Sequence, residues 1–538
     1  MLSLISLFFL LFSSYSIQKI VCKAIPESEL YSRVGWFVIL YYLLFWLDEF
    51  NLLIIVLTIF AIGSLIDLAY TIFFRASLIP SSLEAIFLSN SQEAKEFISA
   101  YWDGKKAGLI FLFVALYSGA IAMIALDSGA KPTTVEMWVV VVLLSYVIWG
   151  VFNKKYKGVL PGFLGMLPTY ISDKKITNRL IEARMSRSEE IEEMIELSDL
   201  AANITLVIIG ESATRRHHQL YGYTRETTPF LSSISNNVIV FKDMISNFSQ
   251  TNPSLSYLLT AARLQSDDNP DEALSFIDVA NKAGIETWWL SNQEPIKSTP
   301  MAIAQCAKKR FFVELECIGK KFFDEELLPA FDEALASPAK NKLIVLHLMG
   351  SHLQYKERYP VEYNYFKTPL GINAYQKKLS SSKVSAINEY DNSIRYTDWI
   401  IREVHERLMQ LNKEIQASMI YFSDHGEEVY DTRNFKGHEP FNYSKPMFEV
   451  PFWVWCSDSF QQNNKENWQR LQTMKNEKLQ LDDFYHFVLH LSGVRSPLVQ
   501  EQRSWLSKRY HANIRVVYGE NFDQLFSLSG RGTTDKTV

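Results

Sequence analysis

At 538 residues the chain is too long for one compact domain, and two or three are expected. A formal net charge of −5, from 54 basic and 59 acidic side chains, offers no basic surface for nucleic acid. Hydrophobic residues make up an ordinary 48%, but the long apolar runs all precede residue 155, so the front part belongs in a bilayer and the remainder does not. Cys22, Cys306, Cys317 and Cys456 have no thiolate-zinc spacing. In an oxidising compartment Cys306 and Cys317 could close a short disulfide.

Residues 2–17 form an apolar run without a basic leader or a small-residue cleavage site, which favours a retained span over a signal peptide. Runs at 34–47 and 52–74 follow, separated by the polar turn Asp48-Glu49-Phe50-Asn51, and two more lie at 107–126 and 135–152. Five spans, an odd number, put the chain ends on opposite sides of the membrane. Residues 78–102 are amphipathic and acidic, the pattern of an interfacial helix. Residues 156–200 read as a connector whose Glu-rich end, 186–200, is expected to be a solvated helix. From residue 201, short apolar runs alternate with helical patterns, which predicts an α/β domain with a largely parallel sheet. Its clearest helix is 385–411, where Ile387, Tyr390, Ile394, Thr397, Ile401, Val404 and Leu408 recur at spacings of three and four. The polar tail, 519–538, is expected to be disordered.

Four of the apolar runs end in residues with chemistry. Residues 204–209 break at Gly210 and deliver Glu211; 238–241 lead to a polar loop carrying Ser249, Thr251 and Ser254; 343–346 lead to His347 and His352; 419–422 lead to Asp424 and His425. In α/β sheets ligands collect just past the carboxyl ends of the strands. Two carboxylates and an imidazole suit a divalent metal, most naturally Zn²⁺, and leave a fourth position for a nucleophile or substrate.

These residues sit in recognisable runs: Ile209-Gly210-Glu211-Ser212, Leu220-Tyr221-Gly222-Tyr223-Thr224-Arg225, His347-Leu348-Met349-Gly350-Ser351-His352 and Ser423-Asp424-His425-Gly426-Glu427-Glu428. Together they resemble the bacterial phosphoethanolamine transferases of the alkaline phosphatase and sulfatase superfamily. The resemblance implies a five-helix transmembrane domain (1–155) followed by a sulfatase-like α/β sandwich in the periplasm (201–518), anchored in the bacterial inner membrane. The Lys and Arg count of the loops favours the opposite orientation, so the periplasmic placement rests on the resemblance. It also implies that Thr251 is the nucleophile and a zinc ligand with Glu211, Asp424 and His425. His352 and His438 would handle the transferred phosphate or a second metal. Lys297, Ser89 and Glu93 would bind substrate, and Glu427 would orient a metal ligand or meet the ethanolamine amine. The donor would be phosphatidylethanolamine and the acceptor a glycolipid hydroxyl. The runs after His347 and around Tyr421 look like the branch that modifies the lipopolysaccharide core. Two departures stand out: Ser249-Gln250-Thr251 replaces the Cys-Gly-Thr of several branches, and Ala85 stands where the family has an Asn. Alternatives are transfer to lipid A or a periplasmic glucan, or glycerophosphate transfer of the lipoteichoic acid synthase type. A sulfatase activity is disfavoured, because no Cys-x-Pro-x-Arg stretch is present.

Overall fold

The computed structural model of the chain describes all residues except 1, 23–26, 47–49, 75–77, 79–82, 84–103, 127–133, 153–159, 190–194, 199–201, 267, 294–297, 317–321, 370, 373–377, 441 and 528–538. It divides into two compact units, residues 1–175 with 314–321, and residues 176–313 with 322–538.

The first unit is helical. Its apolar runs, free of interior proline, form α1 (Leu2–Cys22), α2 (Glu27–Trp46), α3 (Phe50–Phe74), α4 (Gly104–Leu126) and α5 (Thr134–Phe152). Among the described residues three stretches, Leu2–Val21, Ile54–Ile72 and Gly104–Leu126, are long and apolar enough to cross a membrane. The first turns of α2 carry Glu27, Glu29 and Arg33. Arg33 is nonetheless buried, because it donates to Glu29 (2.8 Å), Ser14 Oγ (3.0 Å) and Asp67 of α3 (3.3 Å). A charge among apolar helices is tolerated when paired in this way. Leu10, Phe37, Leu57 and Tyr117 close the core between α1, α2, α3 and α4.

The described helix of the connector, α6, occupies Gly162–Glu189 and takes in the start of the Glu-rich end; residues 190–194 and 199–200 lie outside the described residues. The N–H groups of Gly162 and Phe163, orphaned at a helix start, donate to Glu29 (3.1 Å) and Asp67 (3.0 Å). Gly162 has φ +54°, and a Cβ there would strike the Asp67 carboxylate. Downstream, Glu196–Leu197 is drawn into antiparallel pairing with Val494 and Arg495, a tertiary partner that local composition does not reveal.

The second unit is built on a seven-stranded sheet: β1 (Ile204–Gly210), β2 (Val238–Val240), β3 (Glu286–Ser291), β4 (Lys309–Phe312), β5 (Lys342–His347), β6 (Ala417–Ser423) and β7 (Phe452–Cys456), in the order β2-β7-β6-β1-β5-β3-β4. Only β7 runs against the others. Every residue of β1, β5 and β6 is buried, which is why these strands read as unbroken apolar runs: both faces of a parallel sheet are covered. The expected long helix is α8 (Ser381–Met409), with Ile387, Tyr390, Ile394, Ile401, Val404 and Leu408 buried. A shorter helix, α7, spans Thr251–Leu258.

The tail is more ordered than its composition suggests. Val516–Val517 pairs with Glu520–Asn521, and a helix follows at Phe522–Ser527. Phe522 is buried beside Ile245, Met447, Phe448 and Val517, while Arg515 joins Asp243 (2.8 Å) to Asp523 (2.6 Å). One aromatic anchor and one ion-pair network outweigh the polar sequence around them; only 528–538 fall outside the described residues. Cys306 is a free thiol, and Cys317 lies outside the described residues.

Candidate active site

The site is assembled by strand order. β1 and β6 are parallel neighbours with Gly210 opposite Ser423, so Glu211 and Asp424 leave adjacent strand ends together. Ser212, held at φ +54°, turns its N–H to Asp424 Oδ1 (3.0 Å) and its hydroxyl to Glu211 Oε1 (2.8 Å). His425 donates from Nδ1 to the Gly426 carbonyl (2.8 Å), which turns Nε2 toward Glu211 and Asp424, 3.4 Å from an oxygen of each. The loop after β5 packs on the other side. Gly350, at φ +51°, comes so close that a Cβ would lie 2.8 Å from Glu211 N, and Ser351 N donates to Glu211 O (3.0 Å). Buried Asp324 fixes that loop by accepting from Met349 N (2.7 Å), Gly350 N (3.0 Å) and Asn292 Nδ2 (2.8 Å).

Thr251 opens α7, and its Oγ1 lies 3.2 Å from both Glu211 oxygens and 3.3 Å from His425 Nε2. A helix N-terminus favours negative charge on an oxygen placed there. The competing hydroxyls are used elsewhere: Ser249 Oγ donates to Glu439 O (2.9 Å) and Ser254 Oγ to Asp424 O (2.6 Å). Ser254 lies inside α7, and its hydroxyl pins the Asp424 backbone.

Glu211, Asp424 and His425 are buried almost completely. Burial would raise Glu211, but the hydrogen bond and charge of His425 hold it well below the usual carboxylate range. Burial and the Glu211 charge push Asp424 up. Burial would lower His425, yet Asp424 and Glu211 hold it up. Two acids and an imidazole in this setting need a cation among them. One donor atom from each lies within 4.8 Å of the others, and Asp424 Oδ2 is buried with no hydrogen-bond partner. Such a set fits a zinc ion.

Behind it lies a second cluster. Glu427 is wholly buried, its oxygens engaged by Tyr355 Oη (2.6 Å) and His438 Nδ1 (2.8 Å). Of its two expected roles, this geometry fits orienting an imidazole rather than meeting a substrate amine. His438 Nε2 has no partner among the described residues, and its ring lies 4.2 Å from that of His425. Beside Thr251 a cavity of about 410 Å³ is lined by Glu211, His347, His352, Met349, Met301 and Arg358. His347 is buried, neither ring nitrogen has a partner among the described residues, and burial lowers it to about 4. His217 is not in the site; it is buried between Asp391 (2.6 Å) and Asp431 (3.2 Å). Lys297, Ser89 and Glu93 lie outside the described residues. Sequence reasoning missed Asp324, which no local pattern marks, and Tyr355, visible only as part of a longer run.

The sulfatase family model matches residues 203–494. Over 507 residues the chain is 27% identical to phosphoethanolamine transferase EptC of Escherichia coli K12, covering 85% of this chain and 84% of the relative. The crystal structure of the C-terminal periplasmic domain of EptC from Escherichia coli, in complex with zinc, is similar with a TM-score of 0.55 and 26% identity, over 61% of this chain and 92% of that one. The fold extends further: the integral membrane lipooligosaccharide phosphoethanolamine transferase A of Neisseria meningitidis is matched over 94% of this chain and 97% of that one, with a TM-score of 0.50 and 20% identity. The chain belongs to the sulfatase family, and the relatives it resembles over most of its length are phosphoethanolamine transferases, as the sequence motifs led us to expect.

Proposed function

We propose that the protein transfers phosphoethanolamine from phosphatidylethanolamine to a hydroxyl of a cell-envelope glycolipid, a core sugar of lipopolysaccharide, through a covalent intermediate on Thr251. The observation that carries this reading is the Thr251 hydroxyl at a helix start, 3.2 Å from Glu211 and 3.3 Å from His425. The names of the relatives supply the group transferred. The five N-terminal helices are read as five spans that hold the catalytic unit on the periplasmic face of the bacterial inner membrane, within reach of a lipid donor.

Glu211, Asp424, His425 and Thr251 would hold zinc. Bound there, the metal would make the hydroxyl more acidic and offset charge on the phosphoryl oxygens. Thr251 Oγ1 loses its proton to water and attacks phosphorus, and the bond to the diacylglycerol oxygen breaks as the new one forms; the Thr251 oxygen takes a proton back from water when the acceptor displaces it. His438, held at Nδ1 by Glu427, presents Nε2 to protonate the leaving oxygen. In the second half-reaction it takes the proton from the acceptor hydroxyl, whose oxygen displaces Thr251.

The test is a donor-only incubation of the full-length protein in detergent with labelled phosphatidylethanolamine. One equivalent of diacylglycerol and a phosphoethanolamine adduct on the Thr251 peptide are expected. Turnover without an adduct, or an adduct on another residue, would refute the mechanism.

A further inference from the structure

We infer that Arg358 is a phosphate-binding residue of the cavity beside Thr251, clamping non-bridging oxygens of the phosphoryl group being transferred. The inference deepens the reading above and rests on it.

Among the described residues, Arg358 is the one lysine or arginine that lines this cavity, whose other walls include the acidic Glu211 and the apolar Met301 and Met349. A phosphodiester entering such a space brings a negative charge next to a buried carboxylate, and something must offset that repulsion. Arg358 is held in place for the task. Its Nε donates to the His352 carbonyl (3.2 Å) and its Nη2 to the Leu353 carbonyl (3.0 Å). Two neutral acceptors fix the plane of the guanidinium without consuming its charge. No carboxylate among the described residues is within ion-pairing distance, and Nη1 has no partner among them. The charges of Asp324, Glu357 and Glu211 are felt at Arg358 without forming an ion pair with it, and a planar cation pre-oriented by backbone carbonyls suits recognition of a tetrahedral oxyanion. The same two bonds fasten Arg358 to the segment that carries His352, and both residues line the cavity.

The experiment uses full-length, zinc-loaded protein in detergent, with Arg358→Gln and Arg358→Lys. Tungstate, a tetrahedral oxyanion, probes the phosphoryl subsite; KM and kcat for diacylglycerol release from phosphatidylethanolamine, and zinc content, are measured alongside. Arg358→Gln is expected to weaken tungstate inhibition about 10- to 100-fold and to raise KM similarly, with zinc content unchanged. Arg358→Lys, which keeps the charge but not the two-carbonyl clamp, falls between, and it carries the test alone if the glutamine variant does not fold. Wild-type tungstate inhibition and KM in the variants would overturn the inference. So would a fall in kcat alone, which would mark a residue that only holds the loop. If wild-type protein bound tungstate through Arg358 yet released no diacylglycerol, the proposed donor would fail and the assignment of Arg358 would stand.

Discussion

Asp424→Asn should separate metal holding from folding. Asp424 is fully buried; Oδ1 accepts from Ser212 N at 3.0 Å, while Oδ2 has no hydrogen-bond partner and faces His425 Nε2 at 3.4 Å. Burial and the charge of Glu211 raise its pKa above the unfolded value of roughly 3.9. A carboxyl raised in this way destabilises the metal-free protein once ionised: the penalty is absent below the unfolded pKa and grows as pH rises through the folded one. Asparagine keeps the bond from Ser212. Removing a carboxylate whose pKa the fold raises from roughly 3.9 to about 7 relieves up to about 4 kcal/mol. For a catalytic unit of roughly 350 residues, an unfolding entropy of about 2 cal/mol/K per residue converts this to a rise of up to about 5 °C. Zinc at about 1,000 times its Kd should add about 4 kcal/mol to the wild type, or about 5 °C, and almost nothing to the variant. Scanning calorimetry of the full-length protein in detergent, with EDTA or zinc, at pH 8 and pH 5, reads both effects; the metal-free difference should shrink at pH 5. The reasoning fails if metal-free Asp424→Asn melts below metal-free wild type at pH 8, or if the variant keeps the full zinc shift.

Three further outcomes are expected. Thr251→Val removes only the hydroxyl between Glu211 and His425; kcat should fall by at least about 10³-fold with stability changed by no more than about 1.5 kcal/mol, whereas Thr251→Ser retains the adduct seen by mass spectrometry. Gly350→Ala puts a Cβ 2.8 Å from Glu211 N at φ +51°, and should cost about 1–3 kcal/mol in urea unfolding together with weaker zinc binding; an unchanged midpoint would contradict the packing described. Burial lowers His217, but Asp431 and Asp391 raise it further, to about 10. Its folded pKa exceeds the unfolded value of roughly 6.5, so its stabilisation is complete below that pH and lost as pH rises toward about 10. Urea midpoints should therefore decline over that window in wild type and less steeply in His217→Gln.

The elements were legible where one rule governed them. Strands buried on both faces must be apolar throughout, so β1, β5 and β6 announce themselves, as do the bilayer-length helices. The groups that follow those strands are legible for the same reason, since the sheet's carboxyl edge is where chemistry collects. Glu196–Leu197 and the polar tail differ from expectation because their structure comes from remote partners, Val494 and Arg495 for one and Phe448 with Asp243 for the other.

By itself the sequence determined the apolar front, the parallel sheet and the kinds of side chain at its strand ends, because periodicity and composition are local properties. Tertiary structure decided which of them meet. The order β6-β1-β5 places Asp424, Glu211 and the loop of His352 side by side, and among Ser249, Thr251 and Ser254 only Thr251 reaches Glu211 and His425. Strand order is a choice among long-range pairings of similar apolar runs, and no stretch of sequence carries that choice alone.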